Sequence, residues 1–363
     1  MQMETGYWTS GEQRTNQWLQ VSVTPLTARS EVAGAWVDNT FLLVGGQPNP
    51  PCDENGSCAM TSEPALQDGA RFDPATGLWS GIAEAPAEVS GRNVAVVGDS
   101  VYILSATTNA THSPPTFLRY TSATDTWSLL SPPPPLGNPR LVAAGNSLLA
   151  IQDSDEYGAA IDSVFDPATG SWQPLPDDPL GPSFDREALW LGDTLLLTAK
   201  DLVPSPGAET PAVVRLATLD LHGGGWVERP TSELIGDAPV AVDDRVLWPN
   251  TGSADGGQVN NWGRSLPFGG VYDPDSGSWT PLPDAPAGDG LAGFSAVVGA
   301  HALVDGHLLE PSTGQWIAVP TMPSPVGNGA TLIAGDNAIL VWGGFSATGS
   351  SADGYLLHPE KQP

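Results

Sequence analysis

The octapeptide "FDPATGLW" at residues 72–79 returns as "FDPATGSW" at 165–172 and as "YDPDSGSW" at 272–279. Its chemistry is that of a tight hairpin. The Asp73 carboxylate can accept hydrogen bonds from backbone two residues on, Pro74 presets the first turn dihedral, and Gly77 supplies a left-handed closing position. Phe72 and Trp79 then stand on the two arms as a cross-strand aromatic pair.

Aligning on the tryptophan after each turn gives Trp18, Trp79, Trp127, Trp172, Trp226, Trp279 and Trp316, with spacings of 61, 48, 45, 54, 53 and 37 residues. A period of this size marks a repeat architecture rather than two or three unrelated domains. The residue ahead of each turn is Phe72, Tyr120, Phe165, Leu219, Tyr272, Leu309 and, in a weaker last copy, Leu357, all expected in the core. A second hairpin lies upstream, as in "AVVGDSVYIL" around Gly98-Asp99, "VAAGNSLLAI" around Gly145-Asn146, "LWLGDTLLL" around Gly192-Asp193 and "LIAGDNAILVW" around Gly335-Asp336. Two apolar strands split by a Gly/Asp/Asn turn are a strong local hairpin signal. Each unit therefore reads as four short strands, a to d, with the tryptophan on d. The 42 glycines and 36 prolines leave little room for long helices.

A four-stranded unit cannot bury both of its faces alone. The expected fold is all-β, a seven-bladed β-propeller of four-stranded antiparallel blades, which leaves few edges open. The chain resembles the kelch family over essentially its whole length. The resemblance rests on the period near 50, on paired glycines ending strand b (Gly45-Gly46, Gly343-Gly344), and on the Tyr/Phe-Asp-Pro-x-x-Gly-x-Trp run before strand d. In three other units the paired position reads Ser105-Ala106, Ala199-Lys200 and Pro249-Asn250. A fold like the central domain of galactose oxidase is implied, with residues 1–363 as one domain. Its blades are expected near 25–83, 90–131, 138–176, 184–230, 237–283, 290–320 and 327–363 plus 15–24. The Trp18 strand precedes any a to c strands and the last unit lacks a strand d, so the N-terminal strand is expected to complete the seventh blade.

Thirteen basic against 41 acidic residues give a formal charge of -28, and Lys200 and Lys361 are the only lysines. Such a surface repels phosphate backbones and anionic lipid, which excludes nucleic acid as a partner. No stretch approaches the length of a membrane span, so no membrane insertion is expected, and "MQMETGYWTSG" lacks the regions of a signal peptide. Cys52 and Cys58 flank a turn-forming Asn55-Gly56 that would let their sulfurs meet. A disulfide would imply an oxidising compartment, hence an extracytoplasmic or secreted protein; a cytosolic pair of free thiols and metal binding are the other readings.

Candidate functional residues fall where the repeats differ. Insertions between strands b and c, near 47–68, 200–211 and 250–270, should emerge on the same face as the d-to-a connections. Those connections hold Arg29, Arg92, Arg140 and Arg186 at comparable places in successive blades. Forked guanidinium donors there would suit a carboxylate clamp, or could pair with acids of neighbouring blades. Glu31, Asp185 and Glu187 lie beside them. Trp262 and Arg264, in a Gly-rich polar insertion with Asn260 and Asn261, suit a sugar or a peptide, or a tryptophan tucked against a blade edge. Asp153, Asp155, Glu156 and Asp162 gather acids in one loop, without the EF-hand spacing for calcium. The kelch resemblance raises a copper oxidase, but Tyr120 and Tyr272 belong to the repeat and His112, His222, His301, His307 and His358 are scattered, so no metal and no cofactor is expected. The function expected is a non-catalytic, monomeric propeller that binds a protein or glycan partner through its d-to-a and b-to-c loops. The alternative is a carbohydrate-active enzyme resembling sialic-acid mutarotases and epimerases, run from the arginines and a carboxylate.

Overall fold

The computed structural model describes residues 16–51, 63–91, 93–105, 115–134, 138–156, 158, 161–202, 210–221, 223–236, 238–249, 269–283, 286, 291, 294–324 and 327–359. Every helix or strand among them is a strand, and 28 of the 30 form seven four-stranded antiparallel sheets. Six sheets run a to d in chain order, spanning 33–81, 94–130, 139–174, 183–228, 240–281, 295–318, and are called blades one to six. The seventh takes Thr331–Ala334, Ile339–Trp342 and Gly354–Leu357 from the end of the chain and Trp18–Gln20 from its beginning. The fold is a seven-bladed β-propeller, and the N-terminal strand completes the last blade as the sequence predicts.

The repeated octapeptide folds as its chemistry dictates. In the first copy Asp73 Oδ1 accepts from the backbone N of Ala75 at 2.8 Å, Thr76 Oγ1 donates to Oδ2 at 2.9 Å, and Gly77 sits at φ 70°. Asp166 and Asp273 anchor the other copies in the same way. All seven expected pairs face each other across strands c and d, from Phe72 opposite Trp79 to Leu357 opposite Trp18. The Phe72 and Trp79 rings meet at 5.0 Å and 46°.

Two compact units make up the chain, Met1–Pro132 with Val319–Pro363, and Pro133–Ala318. In the first, blades seven, one and two pack face to face. Phe41, Leu43 and Phe72 of blade one bury against Ile333, Leu340 and Trp342 of blade seven, while Leu42 and Val44 turn to Val101, Ile103 and Tyr120 of blade two. In the second unit Leu195 and Leu197 of blade four join Leu149 and Ile151 of blade three, and Leu196 joins Val246 and Trp248 of blade five. Alternate residues of one strand b thus serve opposite neighbours, which is the two-residue period of a strand buried on both faces. Each such leucine contributes about 1.5–3 kcal/mol of burial.

Two polar contacts fix the spacing between blades. The indole Nε1 of Trp18, Trp79, Trp127, Trp226, Trp279 and Trp316 donates to the carbonyl of Pro320, Ser22, Ala83, Pro176, Pro230 and Pro283, at 2.7 to 3.4 Å. Each acceptor stands two residues past the end of a strand d. At the other end, Gly46 N donates to Val89 O at 2.8 Å and Gly344 N to Arg29 O at 3.0 Å, so a strand b docks on the connection into the next blade. Only glycine fits there: a Cβ on Gly45, at φ 67°, would lie 2.2 Å from Val89 O.

Trp79→Ala should lower stability by about 3–5 kcal/mol through the cavity it leaves. Trp79→Phe, which keeps a ring but loses the bond to Ser22, should cost less, the bond itself being worth about 1 kcal/mol. Chemical denaturation of the two variants measures the split, and a Trp79→Phe variant as stable as the parent would show the indole bond to be without effect. Deleting residues 1–24 should depress the melting temperature strongly, because strand Gly354–Leu357 then loses its outer partner, Trp18–Gln20.

Candidate functional site

Strand a begins, strand b ends and strand c begins at one edge of each blade, the edge that bears the d-to-a and b-to-c connections. Of the arginines expected there, Arg92 lies outside the described residues, as do Trp262, Arg264, Cys52 and Cys58. The other three differ sharply.

Arg29 is buried, 1% exposed, and its donors are spoken for: Nε and Nη2 reach the carbonyl and hydroxyl of Thr27 at 2.8 and 2.6 Å, while Nη1 and Nη2 hold the Asp68 carboxylate at 2.5 and 3.1 Å. Nη1 also donates to Gly45 O at 3.2 Å, so this guanidinium ties the end of strand b to the connection into its own blade. Glu31 sits beside it in the left-handed region at φ 53°, with its backbone N donating to Gly329 O at 2.8 Å.

Arg186 is likewise buried, 4% exposed, and it organises the acidic loop of blade three. Nη2 donates to Asp162 Oδ2 at 2.6 Å and to Asp178 Oδ2 at 3.1 Å, Nη1 to Ser183 Oγ at 3.0 Å, and Nε to Gln152 O at 3.2 Å; Asp155 stands 3.8 Å away. The loop acids also bind backbone: Asp162 Oδ1 accepts from Gln152 N at 2.8 Å and Asp155 Oδ2 from Ser183 N at 3.0 Å. One guanidinium thus serves three carboxylates. Burial pushes the Asp162 carboxyl above its usual range, against the pull of Arg186. Burial also opposes the charge on Arg186, but Asp162, Asp178 and Asp155 together outweigh it and hold the guanidinium above its ordinary value.

Arg140, by contrast, is 60% exposed and meets one carboxylate, Glu187, at 3.5 Å. It overlooks the part of the protein that departs furthest from the repeat. Where blades one and seven end strand b with paired glycines, blade four has Ala199 and Lys200, and its strand b runs on through Thr194–Asp201. Strand a starts early, at Ser183–Leu191, and pairs Phe184 with Lys200. The ladder then slips between Phe184 and Glu187, leaving Asp185 in a bulge at φ 48°.

This bulge aims a carboxylate at a buried ammonium. Lys200 Nζ donates to Asp185 Oδ2 at 2.9 Å and lies 5.8 Å from the centre of the Phe184 ring, with the lysine side chain 2% exposed. Burying an ion costs several kcal/mol before pairing, and a left-handed residue other than glycine about 1–3 kcal/mol more. Blade one likewise buries an ion, Arg29, beside the left-handed Glu31 at this edge but keeps its paired glycines; blade four instead seats a lysine in their place. A cavity of about 370 Å³ opens here, lined by Arg140, Glu156, Phe184, Lys200, Ala238 and Trp248 among others.

Two further cavities open at the same edge of their blades. One in blade seven, of about 400 Å³, is lined by Met322, Phe345, Thr348, Asp353 and Tyr355, beside the two-stranded ribbon Phe345–Ser346 and Gly349–Ser350. A smaller one of about 180 Å³ lies between Asp155, Ile161, Asp178 and Pro182.

Of the expected site residues, Arg140, Arg186, Asp185 and Glu187 thus share one cavity, and Arg29 and Glu31 lie apart in the other unit. Sequence reasoning missed Lys200 and the acids that take up the arginines, Asp68 and Asp178. The signal for Lys200 was present: it is one of two lysines, and it replaces a paired glycine. Comparison with known proteins finds no family model that matches this chain and no matching curated protein.

Arg186→Met should destabilise the protein by about 3–5 kcal/mol near neutral pH, because three carboxylates lose the cation they share. The deficit should shrink on acidification. Without Arg186 the folded-state pKa of Asp162 rises further above its unfolded value, so the fold regains stability as the pH falls through that raised pKa. Arg140→Ala should change stability by less than about 1 kcal/mol. Urea denaturation across a pH series separates the two, and a deficit for Arg186→Met that stays constant with pH would contradict this account.

Proposed function

We propose that this protein is a non-catalytic, extracytoplasmic propeller of the kelch type that binds a protein or glycan partner through the edge bearing its d-to-a and b-to-c loops. The paired glycines that dock one blade on the next and the Asp-to-Trp hairpins support the kelch reading. One observation supports the choice of edge: the cavities in blades three, four and seven all open among strand-a starts, b-to-c loops and d-to-a connections. The opposite edge consists of two-residue a-to-b turns such as Gly98-Asp99 and Gly192-Asp193 and of the Asp-anchored c-to-d hairpins. Tight turns offer little concave surface.

The blade four cavity is the strongest position for a ligand, since a paired lysine and carboxylate line it where blades one and seven have paired glycines. Binding of the parent protein to a glycan array and to a displayed peptide library tests the proposal. Arg140→Glu, on blade three at the mouth of the blade four cavity, and Ser346→Trp in blade seven should each reduce the binding of some ligand. Asp99→Arg and Asp193→Arg, at the a-to-b turns, should leave every affinity within about threefold, as rim charges do. Loss of binding confined to the turn substitutions would place the partner on the wrong edge and sink the proposal.

A further inference from the structure

We infer that the blade four cavity binds a neutral sugar through a vicinal diol, an inference that rests on the glycan half of the reading above. The cavity presents two donor–acceptor pairs of opposite charge. Lys200 Nζ stands 2.9 Å from Asp185 Oδ2, and an Arg140 Nη stands 3.5 Å from Glu187 Oε1. Each pair offers a cationic donor and an anionic acceptor about a hydrogen-bond length apart. Adjacent hydroxyls of a pyranose are spaced alike, and each hydroxyl both donates and accepts.

Donor capacity remains for such a ligand. Lys200 carries three N–H donors, and among the described residues one acceptor, Asp185, meets its ammonium. The Arg140 guanidinium is mostly in solvent. Hydrogen bonds between a hydroxyl and an ion are roughly twice as strong as those between neutral groups, and an ammonium that donates its spare protons to hydroxyl oxygens in a buried site gains most. Phe184, at the cavity wall, supplies a small apolar contact for a C–H edge of a sugar ring.

Charge narrows the class further. Arg186 is taken up by Asp155, Asp162 and Asp178, and Lys200 and Arg140 are matched by Asp185 and Glu187. Asp153 and Glu156 then leave the lining with an acidic excess, in a chain that carries -28. An anionic sugar would be repelled, and an amine would have to displace Lys200 or Arg140 from its carboxylate. A neutral polyol satisfies both pairs and breaks neither. A volume near 370 Å³ admits one or two sugar rings but no folded domain.

The test uses the whole chain and a panel of methyl hexopyranosides (gluco, galacto and manno), with methyl glucuronopyranoside as the acidic counterpart, read by saturation-transfer NMR and calorimetry. At least one neutral glycoside should bind, and the glucuronoside should bind at least about tenfold more weakly than its gluco parent. Arg140→Gln, at an exposed position, and Lys200→Met should each weaken the neutral ligand by about tenfold or more, as loss of a hydrogen bond to a charged group does. Lys200→Met combined with Asp185→Asn removes both ends of the buried pair, keeps a residue that tolerates the left-handed region, and should lose binding while melting cooperatively.

The inference is overturned if the glucuronoside binds as tightly as the neutral sugars, or if no glycoside binds. Should a glycan or a peptide bind but respond to Ser346→Trp and not to Lys200→Met, the ligand site lies in blade seven. The inference then fails while the choice of edge stands.

Discussion

A four-stranded blade with apolar residues on both faces has no stable existence alone, and everything else in this fold follows from how that need is met. Strand b of each inner blade is buried on its two sides by different neighbours, so Leu195 and Leu196, adjacent in the chain, belong to different cores. Hydrophobic contact sets no register of its own, being non-directional. Register comes from the polar contacts at either end: the indole bond from strand d to a carbonyl two residues past a strand d, and the paired-glycine amide on the next entry segment.

That division of labour explains why the repeated tryptophans are poor places to look for function. Each contributes its ring to the Phe/Tyr/Leu across the hairpin, and six of the seven also give their N–H to the connection beyond. The same economy governs two of the arginines. Arg29 and Arg186 lie among partners close enough to satisfy every nitrogen, and each binds strand b to the segments around it. A cluster of cationic residues on a strongly acidic protein therefore need not be a clamp. Among its described members two hold loops in place, and Arg140 faces solvent.

Blade four is the exception that matters. It gives up the paired glycines, lengthens strands a and b, and accepts a bulge with Asp185 in a left-handed conformation in order to seat Lys200. The consequence is a pocket floor of fixed, paired charges rather than a flat blade edge. Paired strands a and b of blade four carry Asp185 and Lys200, which presents the ion pair from regular backbone rather than from a loop tip.

Much of this architecture was legible before any coordinates. The Asp-Pro-x-x-Gly-x-Trp run specifies a hairpin by local dihedral and hydrogen-bond chemistry, its period counts the blades, and the orphan strand d around Trp18 requires closure with Leu357. Those are short-range properties, and short-range properties are written in adjacent residues. Which arginines are free was not legible, because Asp68 stands 39 residues from Arg29 and Asp162 and Asp178 lie 24 and 8 residues from Arg186. The burial of Lys200 was equally hidden, since it depends on a register slip in strand a that no single strand announces. Sequence by itself determined the unit, its turns and the number of its copies; tertiary structure alone decided which charges neutralise one another, because ion pairing depends on distance in space and the chain must fold before those distances exist.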